Sequence, residues 1–329
     1  MSTDIDFSVP NWLINWYHLV GTISFFLNSG CIYIILFKSD QIDNFRYFLL
    51  IFQIFCTITD FHITFLMQPI PLYPVLGGYC NGFLAVYFDV WAHYLMAFIV
   101  ASIVAQIGSL AYCFFKKHQT IGKIMNRRVV PQFLLDLAHL GLPFAPVTVF
   151  ILFLQTGMKR DTQMAYVKNN YLKYYEEFSR ISNFAVYEFN SWTYFLAFGI
   201  FSGGIGCGFI FIFTTFDMLN FLKNSRIRRK ISSANFKRHK AALKSLIAQF
   251  ATSSLCLIPP TLYLVAVMSS INYAQVIVQF LLAVFSLHSS VNAVVLVLTT
   301  PPYRNFVLRK QPKRNLIVAP VSVSHLSAT

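Results

Sequence analysis

An all-α fold, a bundle of seven transmembrane helices with the N-terminus outside and the C-terminus cytoplasmic, is predicted by three observations. Of 329 residues, 56% are apolar and only 12% charged, about half the charge of a soluble domain, and mean hydropathy is +0.58. Apolar runs of roughly 20 residues or more, the length that crosses ~30 Å of hydrocarbon, recur along the chain. The 26 Lys and Arg, set against 12 Asp and Glu for a net charge of +14, fall between those runs. Their placement points to a lipid bilayer as partner and not to nucleic acid.

The first span, about 12–37, has no charged residue, and the second, 47–67, contains only Asp60. The third, 83–115, includes Asp89 and is long enough to tilt or protrude. The fourth, 129–154, includes Asp136, Pro143 and Pro146, and the fifth covers 191–221. Ser245 to Tyr303 lacks any Asp, Glu, Lys or Arg, and as one helix it would be ~88 Å long. The polar cluster at 269–273 divides it into spans at 245–268 and 274–300. Residues 305–329 remain as a short cytoplasmic tail. Asp4 and Asp6 stand where a signal peptide is basic, so the first span is expected to direct its own insertion.

Charge sets the orientation. One set of alternate segments holds 21 of the basic residues, among them Lys38, Arg46, Lys116, Lys117, nine between Lys223 and Lys244, and Arg304. The other set holds five, all in the loop 156–190, which also contains Asp161, Glu176, Glu177 and Glu188. Positive charge stays on the cytoplasmic side. Of the six cysteines only Cys80 lies near the outer surface, and the loop 156–190 has none. The disulfide that many seven-helix receptors make between that loop and the third helix therefore has no partner here.

Ionisable residues inside a membrane are functional candidates because burying them is costly. They are Asp60, His62, Asp89, His93, Asp136, His139 and His288. The four-residue spacing of Asp89 and His93, and the three-residue spacing of Asp136 and His139, place each pair on one helix face. This inventory raises an intramembrane metal-dependent hydrolase as an alternative. Depth argues against a shared ion, because the first pair lies in the outer leaflet and the second in the inner one, whereas zinc ligands converge within ~2 Å of one centre. No metal, cofactor or enzymatic activity is expected. A retinal Schiff base needs a lysine in the last span, and none lies between Tyr273 and Tyr303. A channel or transporter would show repeats or a polar face, and neither is evident.

Pro259-Pro260 in span six predicts a kink. Gly203-Gly204-Ile205-Gly206-Cys207-Gly208 in span five permits close helix approach or a weak point. Both read either as packing or as parts of a movable pair. The basic loop with Arg226, Arg228 and Arg229 reads either as a topogenic, lipid-holding segment or as a docking surface.

The segment Asp43-Asn44-Phe45-Arg46-Tyr47-Phe48-Leu49-Leu50, then Thr59-Asp60-Phe61-His62, Pro69-Ile70-Pro71-Leu72-Tyr73-Pro74 and Gly77-Gly78-Tyr79-Cys80-Asn81-Gly82, resembles the nematode serpentine chemoreceptors of class I, with sister class H next. Ser286-Leu287-His288-Ser289-Ser290-Val291-Asn292 and Pro301-Pro302-Tyr303-Arg304 resemble that superfamily's closing motif. The likeness covers nearly the whole chain. It implies a G-protein-coupled receptor for small, odorant-like molecules in the plasma membrane of sensory neurons or their cilia, with a heterotrimeric G protein as cytoplasmic partner. The inner end of span three, Tyr112 to His118, has no acidic residue followed by Arg, and span seven lacks Asn-Pro before its Tyr.

A ligand pocket is expected in the outer half, with Asp89, His93, Tyr263, Gln275 and Gln279 as polar anchors in a mostly apolar site. Asp60, Ser289 and Asn292 are expected to form a polar cluster that exchanges partners as span six swings about Pro259-Pro260. Lys116, Lys117, Arg226, Arg228, Arg229 and Arg304 are the expected coupling surface.

Overall fold

Lipid offers a backbone amide no partner outside its own helix, and the chain answers with long rods. The computed structural model describes residues 4–38, 45–125, 131–223, 232–269 and 274–309. Helix α1 is Asn11–Phe37, and α2 is Phe45–Phe61, continued by a π-helical stretch, His62–Met67. Short α3, Phe83–Phe88, precedes α4, Ala92–Met125, and α5 is Gln132–Leu154. Helices α6, Arg160–Asn170, and α7, Tyr175–Arg180, lead to α8, Ser191–Lys223. Then come α9, Ser233–Ser269, α10, Ala274–Ser286, α11, His288–Thr299, and α12, Pro301–Val307. Among the described residues, five rods are long and apolar enough to cross a membrane: α1, α2 with its π-helical end, α4, α8, and α10 with α11. Helix α5, with an apolar stretch at His139–Leu154, and the 37-residue α9 make up the seven-helix bundle.

Several boundaries depart from the sequence expectation. The expected third span, 83–115, is two helices, because Asp89 takes a left-handed conformation (φ 48°) and ends α3. The Val90 amide then bonds the Leu84 carbonyl 3.1 Å away, as in a Schellman-type stop. Aspartate tolerates this conformation better than most side chains. The expected sixth span starts at 245, but α9 already begins at Ser233, so part of the basic loop is a helical extension of the rod. Helix α8 is continuous through Gly203–Gly208, and among the described residues nothing beyond the helix's own neighbouring backbone lies within 4 Å of a Cβ built at Gly203, Gly204, Gly206 or Gly208. These glycines serve no close helix contact. The last rod is interrupted at Leu287.

An all-α description also omits a small sheet at one end of the bundle. Strands β1 (Pro69–Pro71), β2 (Gly77–Cys80) and β3 (Ala185–Val186) pair antiparallel in that order. Ile70 lies opposite Tyr79, and Gly78 opposite Ala185. A Cβ on Gly77 would strike the Ala185 carbonyl, and one on Gly78 the Ile70 carbonyl; glycine is what lets β2 sit between its neighbours.

At this sheet end, Ile5, Ile70, Leu72, Tyr79, Val167, Phe178, Phe184 and Val186 form an apolar core of their own. The opposite, basic end has the larger core, in which Ile35, Phe52, Cys113, Phe114, Phe211, Met218, Leu246, Leu296 and Tyr303 draw on six rods and α12. Outward-facing Phe198, Phe201 and Phe209 are each at least 70% exposed, as suits side chains bathed in lipid.

Candidate functional site

The expected outer pocket residues divide among different tasks. Asp89 is exposed, and its Oδ1 accepts from Ser182 Oγ at 3.3 Å. It shares no helix with His93, since the helix breaks between them, and the expected common face does not exist. His93, in the first turn of α4, is 1% exposed. Its Nε2 donates to the Leu154 carbonyl (3.4 Å), and its Nδ1 accepts from the Tyr187 hydroxyl (3.1 Å). It stacks on Phe153 at 5.4 Å, and a Cβ at Gly157 would collide with its ring. His93 thus ties α4 to the end of α5 and to the strand loop. Gln275 bonds the N-terminal segment: the Asp6 amide donates to its Oε1 (3.1 Å), and its Nε2 donates to the Asp6 carbonyl (2.6 Å). Gln279 is 6% exposed, on the bundle side of α10. The Tyr263 side chain lies outside the described residues.

The loop 156–190 is anchored without a disulfide. Cys80 is a free buried thiol, and burial pushes its pKa up. In place of a sulfur bridge, β2 pairs with β3, Trp91 Nε1 donates to the Phe184 carbonyl (2.9 Å), and the Ala92 amide donates to the Asn183 carbonyl (3.2 Å). Arg160 gathers the carbonyls of Ile181 (2.6 Å), Ser182 (3.0 Å) and Ser179 (3.2 Å), with its guanidinium over the Phe184 ring. A planar fork of five donors suits such a cluster of acceptors at the end of α7.

At the middle of the bundle, Ser24 and Asn28 of α1, which sequence reading passed over, stand between Asp60 and Ser289. The Ser24 hydroxyl stands beside the Asp60 carboxyl. Asn28 Nδ2 donates to Ser24 Oγ (3.1 Å) and to Ser289 Oγ (2.7 Å), while Gln53 Nε2 donates to Asn28 Oδ1 (2.6 Å). Ser24 and Asn28 stand four apart in an apolar span, and that spacing is the signal that could have found them. Asn292 turns elsewhere, donating to Ser253 Oγ of α9 at 3.4 Å. Asp60 Oδ1, Gln53 Oε1 and Asn292 Oδ1 are buried acceptors without a partner among the described residues. A second crossing joins α4 to α11, where His288 Nε2 lies 3.1 Å from the Gln106 amide. Pro259 is buried within α9, and the Pro260 side chain lies outside the described residues.

At the basic end, His118 Nε2 donates to Asp217 Oδ2 at 2.8 Å, with side chains 5% and 8% exposed. Gln119 Nε2 lies 3.2 Å from the other ring nitrogen, which suits the tautomer that donates to Asp217. The pair joins α4 to α8. Helices α9 and α11 are joined nearby: Thr299 Oγ1 donates to Ser245 Oγ (2.9 Å), and Ser245 also meets Thr300 (3.0 Å). Lys117 is 7% exposed, with its ammonium over the Phe45 ring, so it presents no charge for docking. Lys116 is partly exposed and lies over Phe48 and Tyr112; Arg304 is exposed on α12. Arg226, Arg228 and Arg229 lie outside the described residues. Among the described residues, no three His, Cys, Asp or Glu side chains gather as a metal site.

The fold is similar to that of squid rhodopsin, with a TM-score of 0.54 at 13% identity over 93% of this chain and 82% of that one. No curated protein sequence matches. Residues 3–307 match the family described as serpentine type 7TM GPCR chemoreceptor Sri, and since that stretch includes every helix described above, the chain belongs to the Sri family of serpentine seven-transmembrane chemoreceptors.

Proposed function

We propose that this chain is a chemosensory receptor of the plasma membrane, with the sheet end outside. It binds a small, mostly apolar molecule in the half of the bundle nearest the sheet and signals to a heterotrimeric G protein at the basic end. The observation that carries this reading is the polar network of Ser24, Asn28, Gln53 and Ser289, with Asp60 beside Ser24 and two buried acceptor oxygens, Asp60 Oδ1 and Gln53 Oε1, left over. Static packing alone is better served by apolar side chains of the same size. A network with spare acceptors can re-pair at small cost, which suits a two-state element that a ligand biases through differential affinity. Of the anchors expected from sequence, Gln279 is retained as the best placed, with His93 lining the site rather than binding through a free nitrogen. Asp89, exposed and beyond the helix break, is set aside. At the basic end, Lys116 and Arg304 stand in the coupling surface, and Lys117 supports it from within.

Tags at the two termini test the orientation: an N-terminal tag should bind antibody on intact cells and a C-terminal one only after permeabilisation. Membranes containing the receptor and a heterotrimeric G protein should then show faster guanine-nucleotide exchange with at least one member of an odorant panel, and Gln279→Ala should shift that dose response. Tags on the same side, or a surface-expressed receptor that never accelerates exchange across a broad panel, would defeat the reading.

A further inference from the structure

The N-terminal segment is not a loose end. Ile5 is 6% exposed, packed in the sheet-end core with Tyr79, Phe178 and Val186. Its amide donates to the Tyr174 hydroxyl (3.3 Å), which itself bonds Asp4 (3.1 Å), and Lys173 pairs with Asp4. The Phe7 ring meets Phe178 edge-on at 5.1 Å, and its carbonyl accepts from the Tyr79 hydroxyl (3.2 Å). The segment thus crosses the sheet end from α7 over β2 to α10, where Gln275 reads both the amide and the carbonyl of Asp6, much as a neighbouring strand would. Gln275 Nε2 also reaches the Pro71 carbonyl of β1 at 3.4 Å. Pro10, directly before α1, ends the strap on a residue whose ring fixes the backbone.

We propose that residues 4–9 are a hinged lid over the sheet end, that Gln275 is its latch on the last rod, and that small molecules exchange with the bundle interior when the lid lifts. The proposal rests on the reading that a ligand is taken up in this half of the bundle. A segment held by a few side-chain hydrogen bonds, one buried aliphatic residue and one ring opens far more readily than the rods beneath it. The latch is set where opening would be felt: Gln275 lies in the first turn of α10, and Gln279, one turn deeper and 6% exposed, lies on the same helix face. Lifting the lid would free the first turn of the rod whose second half carries Ser289 and Asn292.

Thiol reactivity tests the lid without a known ligand. A small, membrane-impermeant cationic methanethiosulfonate reagent is applied to Gln279→Cys and, separately, to Ile5→Cys. Leu172→Cys, 67% exposed on the loop, serves as reference, and the chain without added cysteines gives the baseline. Adding Gln275→Ala should speed modification at positions 279 and 5 by about tenfold or more, because reaction follows the open population, and leave position 172 unchanged. Equal rates with and without the latch at both reporters overturn the proposal, as does a parent in which both already react as fast as Leu172→Cys. The orientation reading is judged separately: if Leu172→Cys reacts only after membranes are opened, the sheet end is not outside, and the same rate comparison in opened membranes still decides the lid.

Discussion

Removing the carboxylate of Asp217 should loosen α8 from the bundle. The hydrogen bond from His118 is 2.8 Å long, and the two side chains are 5% and 8% exposed, so water does not compete for it. A buried hydrogen bond onto a charged group contributes about 1.5–3 kcal/mol, and the screening that weakens exposed pairs is absent. Asp217→Asn retains an acceptor and is expected to lose about 1–2 kcal/mol. Asp217→Ala leaves a buried donor unanswered and should lose about 3–5 kcal/mol. The tie matters because α8 is otherwise thinly held: its described residues 197–206 are all exposed, and apart from Leu196 its buried side chains are Phe211, Thr214, Asp217 and Met218. The assay is a double-mutant cycle of Asp217→Asn and His118→Gln in mixed micelles, with unfolding by sodium dodecyl sulfate followed through modification of buried Cys31, Cys56 and Cys113. A coupling energy of about 1.5 kcal/mol is expected. Additivity to within about 0.5 kcal/mol would refute the reasoning and reduce the contact to geometry without energetic weight.

Asp60→Asn keeps volume and an acceptor oxygen beside Ser24; stability should change by less than about 1 kcal/mol while signalling shifts severalfold, and a parallel fall of surface expression and signalling would make the network scaffolding. Arg160→Ala should open the loop 156–190 by about 2 kcal/mol after discounting for its partial exposure, seen as roughly 30-fold faster tryptic cleavage between Lys168 and Arg180. Arg160→Lys should not rescue it, because an ammonium lacks the planar fork; full rescue by lysine would rule out the fork as the cause. The Lys173 ammonium holds the Asp4 carboxyl below its usual value of 3.8. Its contribution is therefore complete above that value and lost as pH falls through the lowered one. Modification of Ile5→Cys in nanodiscs, normalised to Leu172→Cys, should stay flat from about pH 5 to 8, and a rise within that window would place the control of the lid in another group.

The seven rods, their order and the alternation of charge between their ends were legible in the sequence because membrane partition acts on one segment at a time. A run of twenty apolar residues satisfies its own backbone wherever the rest of the chain lies. Asp60 was recognisable for the same reason, since a carboxyl in an apolar span is costly without any knowledge of its neighbours. What stands beside the carboxyl was not legible: Ser24 belongs to another span, as does the Asn28 that bonds it, and only helix packing decides that they come near. The same holds for His118 and Asp217, 99 residues apart, and for Gln275, whose amide finds the Asp6 backbone 269 residues away. Asp89 misled because a four-residue spacing defines a face only while the helix continues, and its left-handed backbone ends α3 three residues before α4 begins. The sheet escaped notice because its strands are two to four residues long, too short for a periodic pattern, and the third comes from a different loop. Partition is local and additive along the chain; the pairing of polar side chains depends on which rods lie side by side, and tertiary structure alone decides that.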